Sequence, residues 1–187
     1  GEGGMIVINN EEYIKRAEII WEKGTNRAEF FRGEVNKYGW MDTGSSFLPS
    51  EITAAFLWAQ LENLGKIQAK RKKIWDYYYR NLKTWAKDNE VGLPVVPDYA
   101  TQNGHLFYLV FKDLESRSRV IARLKENDIV SVTHYISLHS SKFYSGKHDG
   151  RKLTESDRYT DTLLRLPLYY DLSESELKRI VKTIKGN

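Results

Sequence analysis

Apolar positions along the chain change period several times, and each change predicts an element. Residues 5–8 are a short run, Met-Ile-Val-Ile, that predicts a strand. Ile14, Ala17, Ile20 and Trp21 then recur at helical spacing. Asn9 or Asn10 is placed to cap that helix, Glu11 and Glu12 suit its positive end, and Gly24 sits where a C-terminal glycine belongs. Residues 25–38 keep no clean period and predict an irregular surface loop. From Ser50 onward nearly every side is apolar: Ile52, Ala54, Ala55, Phe56, Leu57, Trp58, Ala59 and Leu61. A surface helix keeps one apolar stripe, so this segment predicts a helix buried between other elements. Ile67, Ile74, Tyr78 and Leu82 hold a single helical face, which leaves Lys66, Lys70, Lys72 and Lys73 on the opposite one. A helix over 50–88 would be unusually long, so a break is expected near Gly65.

Beyond a loop marked by Gly92, Pro94 and Pro97 the pattern becomes mixed. It predicts a strand over 106–111, then an amphipathic helix over 115–127 with Val120, Ile121 and Leu124 inward. A second strand is expected over 129–132 and a third over 164–168, with the polar, turn-rich stretch 140–156 between them. Ser173 and Glu176 have capping-box spacing ahead of Leu177, Ile180, Val181 and Ile184, which predicts a final helix over 173–184. The order implies an α/β class, with a small sheet carrying helices on one side. The expected division is a first domain over 1–64 and a small C-terminal α/β domain over 65–187.

Composition narrows the partners only loosely. A net charge of +4 and a pI near 9.1 favour anionic ligands without naming one. There is no cysteine, hence no disulfide framework and no thiolate metal site. No apolar run approaches the ~20 residues of a membrane span, so a soluble, cytoplasmic protein is the default expectation.

Candidate chemistry is sparse. Gly39, Gly44, Ser45, Ser46 and Pro49 form a turn-rich loop entering the apolar helix. Such a loop can present hydroxyls and N–H groups to an anion, or it can simply lead into a core helix. Arg27 and Arg32 lie in the aperiodic segment, either solvated or facing phosphate or carboxylate. His134 and His139 are five apart, which suits neither one helix face nor one strand face, and no metal site is expected from them. His105 opens a strand and reads as structural. The lysines at 70, 72 and 73 beside Trp75, Tyr77, Tyr78 and Tyr79 could suggest nucleic-acid binding, but the helical period accounts for them as one solvated and one buried face.

Four ordered motifs resemble the C-terminal half of a DegT-type sugar-nucleotide aminotransferase. They are the glycine-rich start Gly1-Glu2-Gly3-Gly4-Met5-Ile6-Val7-Ile8-Asn9; the loop Asp42-Thr43-Gly44-Ser45-Ser46-Phe47-Leu48-Pro49-Ser50-Glu51 with Ala54, Ala55 and Gln60-Leu61-Glu62; His134-Tyr135 with Leu138-His139; and Leu166-Pro167-Leu168 before the last helix. The subgroup resembled is the TDP-4-oxo-6-deoxyglucose transaminase of enterobacterial common antigen synthesis. Many family members carry an asparagine where Ser46 stands and an arginine where Leu48 stands.

The resemblance implies the aspartate-aminotransferase (fold type I) architecture and the cofactor pyridoxal 5′-phosphate (PLP). It also implies amino transfer from L-glutamate to a 4-keto-6-deoxy nucleotide sugar, with active sites shared across a homodimer. Ser45 and Ser46 are then the expected cofactor-phosphate residues, and Arg27, His134 and Tyr135 the expected substrate residues. The family's Schiff-base lysine falls a few residues before the motif that opens this sequence, so no catalytic residue is assigned and this chain alone is expected to be inactive. A non-catalytic assembly module derived from the same family is the alternative.

Overall fold

The computed structural model describes residues 3–186, which divide into two compact units, one through Asn63 and one from Leu64. In the first unit, a single 3-10 turn (Glu11–Tyr13) leads into helix α1, Ile14–Trp21. Asn10 caps the turn by accepting from the Glu12 N–H at 3.0 Å. After α1 the chain reverses at Gly24, where φ is +77° and the N–H donates back to the Ile19 carbonyl at 2.8 Å. Helix α2, Arg27–Phe31, follows at once, and α3, Glu51–Glu62, closes the unit. Ser50 caps α3 by accepting from the Thr53 N–H at 3.2 Å.

The second unit has a conventional core. Helix α4, Leu64–Asp88, buries Ile74, Trp75, Tyr78, Leu82 and Ala86, one stripe at helical spacing. Three antiparallel strands, β1 (Phe107–Val110), β2 (Val132–Thr133) and β3 (Leu163–Leu166), are ordered β1-β3-β2. Between them run α5, Leu114–Glu126, and α6, Thr154–Thr162; α7, Glu174–Lys185, ends the fold. Register pairs Phe107 with Leu166 and Leu109 with Leu164. These four residues are buried, and they join Val120 and Leu124 of α5 and Leu177, Ile180, Val181 and Ile184 of α7 in one cluster with α4. Each fully buried leucine in it contributes roughly 1.5–3 kcal/mol of transfer free energy. Trp75 stacks on Tyr79 at 5.2 Å and meets Phe107 edge-on at 5.4 Å, while the Tyr78 hydroxyl donates to the Pro167 carbonyl at 2.8 Å. Burial pushes the Tyr78 phenol well above its ordinary range.

Several expected elements are revised. Residues 5–8 form no strand: a β-branched run needs a ladder to join, and none is offered, so Met5, Ile6 and Val7 stand exposed. The stretch read as irregular holds α2. The long helix breaks at Asn63, two residues before Gly65. The second strand is confined to Val132–Thr133, although Ile129 is buried as an anchor. The turn-rich segment ends in α6, where the amphipathic pattern was too polar to read. The largest correction concerns α3. No residue of this apolar helix is buried; Ile52 is 84% exposed and Trp58 66%. The pattern describes a helix that needs cover, and the surface that would provide it is not within its own unit.

Candidate functional site

In the first unit the glycine-serine loop is fastened to the end of α1 by a set of backbone bonds, with one side-chain ion pair, Arg16 to Asp42, beside them. Lys23 N–H donates to Ser45 O at 3.0 Å, Ser45 N–H to Ile20 O at 3.1 Å and Phe47 N–H to Trp21 O at 3.2 Å. Met41 N–H donates to Gly24 O at 2.8 Å. Two glycines make this approach feasible. A Cβ at Gly44 would lie 2.2 Å from Gly24 N and 2.7 Å from Ile20 O; one at Gly24 would lie 1.9 Å from Asp42 O. The consequence for the two serines is opposite. Both backbone polar groups of Ser45 are committed to α1 and its turn. Ser46 sits in the antiparallel bridge to Glu22 at the position whose N–H points away from the partner, and it makes no backbone hydrogen bond among the described residues. Ser46 is exposed, so its N–H and hydroxyl form a compact pair of free donors.

Charges beneath this loop are paired. Arg27 donates to Glu22 at 2.8 Å and lies over the Phe31 ring at 4.9 Å. Arg27 first, with Lys23 beside it, holds the buried Glu22 carboxyl below the usual carboxylate range against its desolvation. Lys15 pairs with Glu29 at 2.8 Å, and Asn26 donates to the same carboxylate at 2.9 Å while accepting from Gly39 N–H at 2.9 Å. Both contacts, Lys15 foremost, depress the Glu29 carboxyl. Arg32 forks onto Glu18 at 2.7 and 2.9 Å and also reaches Glu34, so its charge is spent locally. Arg27 is placed next to the loop through Glu22, but it arrives already neutralised.

In the second unit His134 and Tyr135 follow β2, with rings 5.3 Å apart; Tyr135 is exposed and His134 lines a shallow concavity of about 280 Å³. Leu106, Tyr108, Tyr159, Leu163 and Arg165 complete that concavity. Burial, with Tyr159 adding to it, pushes the Tyr108 phenol up, so this group stays a hydrogen-bond donor. His139 is turned elsewhere: it contacts Asp157 at 2.9 Å, and its ring lies 5.2 Å from that of His148, tilted by 43°. His105 is exposed and serves through its carbonyl, which accepts from Arg71. Among the described residues, no cluster of histidines and carboxylates has metal-binding geometry, and no helix is long and apolar enough to cross a membrane. The aromatic platform that a nucleic-acid reading of α4 needs is inside the core, with Trp75 and Tyr78 buried.

Arg165, Tyr108 and Tyr159 did not stand out in the sequence. The available signal is a lone cation in the apolar run Leu163-Leu164-Arg165-Leu166.

Residues 1–185 match the DegT/DnrJ/EryC1/StrS aminotransferase family. The chain belongs to that family. Solved structures agree on the fold. The sugar aminotransferase CalS13 from Micromonospora echinospora is similar with a TM-score of 0.80 at 19% identity, over 97% of this chain and 46% of that one. A DegT/DnrJ/EryC1/StrS aminotransferase from Brucella abortus gives 0.75 at 25% identity, over 95% and 44%. Spr1654 from Streptococcus pneumoniae, solved in its PLP-form, gives 0.73 at 22% identity, over 96% and 44%. The chain thus spans under half the length of these relatives, and its mixed α/β architecture is that of fold type I aminotransferases, whose DegT-type members depend on PLP.

Proposed function

We propose that this chain is the C-terminal half of a PLP-dependent transaminase that moves an amino group from L-glutamate to a 4-keto-6-deoxy nucleotide sugar of the TDP-4-oxo-6-deoxyglucose type. The product would feed the synthesis of a surface polysaccharide such as lipopolysaccharide or enterobacterial common antigen. Family membership over residues 1–185 carries the reading. The enzyme is taken to be a cytoplasmic homodimer with each active site shared between subunits.

The residues present suit the cofactor's phosphate on one point of geometry. Ser46 offers an unpartnered N–H and an exposed hydroxyl on a loop locked by backbone bonds, so the donors are held before an oxyanion arrives. Ser45 contributes by fixing the loop, with only its hydroxyl left for a ligand. When bound, PLP supplies the electron sink for amino transfer. On the sugar side, His134 and Tyr135 are assigned to the nucleotide-sugar substrate, His134 as a hydrogen-bonding group at the concavity edge and Tyr135 as an exposed ring with a phenol donor. Arg27 acts on substrate only if a ligand displaces Glu22; otherwise it positions the loop. The lysine that carries the cofactor in this family has no counterpart motif in these residues, so the chain by itself is assigned no turnover.

The test is transamination by the polypeptide that joins these residues to a cofactor-lysine half. With L-glutamate and TDP-4-oxo-6-deoxyglucose it should release 2-oxoglutarate and a 4-amino sugar nucleotide in equal amounts, read by mass spectrometry. No amino transfer to that or any related keto sugar would overturn the proposal. A second reading, a non-catalytic assembly module, draws on the exposed apolar face of α3, and that same result would favour it.

A further inference from the structure

We propose that Ser137 is a positioning residue for His134 and Tyr135, tying the segment that carries them to α6 through a buried hydroxyl cluster. Past β2 the chain runs along the surface: of residues 132–138 only Ser137 is buried, while Tyr135 is 84% exposed and Ile136 70%. An apolar side chain is the usual anchor for such a stretch, yet here the apolar residues face outward and a serine goes in. No backbone hydrogen bond holds Tyr135 or Ile136 among the described residues.

The Ser137 Oγ lies 3.0 Å from the Ser156 carbonyl, 2.6 Å from Thr160 Oγ1 and 3.1 Å from Ser156 Oγ. Donation to the carbonyl and acceptance from the two hydroxyls use the full capacity of one hydroxyl group. Helix α6 is itself braced: Arg117 of α5 donates to the Thr160 carbonyl at 2.6 Å, and the Phe111 N–H to the Thr162 carbonyl at 3.0 Å. Residues 134–136 are therefore a short span pinned at both ends, by Thr133 in the ladder with β3 and by Ser137 on α6. Without the Ser137 hydroxyl the next fixed point is His139, whose imidazole meets Asp157 of α6 at 2.9 Å. The free span would then run over 134–138, and the directional bonds that orient it would be gone.

This deepens the proposed function, since the contact of His134 and Tyr135 with substrate rests on that reading. The tether itself does not, because it is a property of this chain without turnover.

The experiment begins with nuclear magnetic resonance relaxation of the 187-residue chain. The Tyr135 and Ile136 amides should behave as rigid backbone, with order parameters near about 0.85, and fall below about 0.6 in Ser137→Ala. Alanine keeps the side chain's size, and Thr160 retains the Ser156 carbonyl at 3.0 Å, so the core amides should be unchanged. Ser137→Thr keeps the hydroxyl and should keep both amides rigid. Flexible amides in the wild-type chain, or rigid ones in Ser137→Ala, would overturn the tether. In the polypeptide that joins these residues to a cofactor-lysine half, Ser137→Ala should raise KM for the sugar nucleotide at least about fivefold with kcat retained, a split that mere loss of folded protein does not produce. An unchanged KM in the loosened variant would overturn the positioning role. A wild-type polypeptide that transfers no amino group would fault the proposed function alone, and the relaxation result would then decide Ser137.

Discussion

Replacing Gly44 by alanine tests whether the serine loop owes its shape to backbone contact. The added Cβ would sit 2.2 Å from Gly24 N, 2.7 Å from Gly24 Cα and 2.7 Å from Ile20 O, all backbone atoms at the end of a helix. None is the tip of a flexible side chain, so relief requires the loop to lift away from α1. Three bonds are then at stake: Lys23 N–H to Ser45 O, Ser45 N–H to Ile20 O and Phe47 N–H to Trp21 O. A typical net worth of ~0.5–1.5 kcal/mol each, taken at the low end for an exposed loop, gives a local destabilisation of about 1.5–3 kcal/mol. Hydrogen exchange reads this directly. Protection of the Ser45 and Phe47 amides should fall roughly 10- to 150-fold in Gly44→Ala, while amides of the second unit keep theirs. Gly65→Ala is the control, since nothing lies within 4 Å of a Cβ there. Unchanged protection of Ser45 and Phe47 in Gly44→Ala would refute the argument, and with it the idea that Ser46 is held in place before a ligand binds.

Three further outcomes follow from the same geometry. Tyr78→Phe should cost ~1–3 kcal/mol in urea unfolding, because it leaves the Pro167 carbonyl without its donor in the core. Since burial raises the Tyr78 phenol pKa, its contribution is whole below about pH 10 and is lost as pH rises further, so the variant should also show a shallower alkaline decline. In the first unit Glu22 and Glu29 both lie below their ordinary values, so their pairings stabilise above about pH 4.5 and fade as pH falls through the lowered values. Glu22→Gln should flatten that acid limb, followed through the Lys23 amide. Ser173→Ala removes the hydroxyl that accepts from the Glu176 N–H at 3.2 Å, and should destabilise α7 by about 1 kcal/mol in thermal unfolding.

Local chemistry made much of this fold legible in advance. The stripe Ile74, Tyr78 and Leu82 and the core positions of α5 and α7 follow from helical spacing, which any amphipathic helix shows wherever it packs. The capping box at Ser173 and Glu176 and the glycine after α1 were readable because caps act within a few residues. The loop at Ser45 and Ser46 stood out by composition, and the family resemblance by ordered motifs.

What the sequence determined by itself was therefore five of the helices, α1, α3, α4, α5 and α7, the buried faces of α4, α5 and α7, and the family. Tertiary structure alone decided the rest, because those features depend on partners remote in the chain. Residues 5–8 had strand composition but no ladder. Helix α3 had a core composition, yet burial is a property of two surfaces and its unit supplies one. Ser46 differs from Ser45 only through which N–H the end of α1 takes up. Arg165 is chemically an ordinary arginine; a strand register that sets Tyr108 across from it is what puts it among the residues lining the concavity with His134. Composition cannot express that difference, since it arises from pairing between strands more than fifty residues apart in sequence.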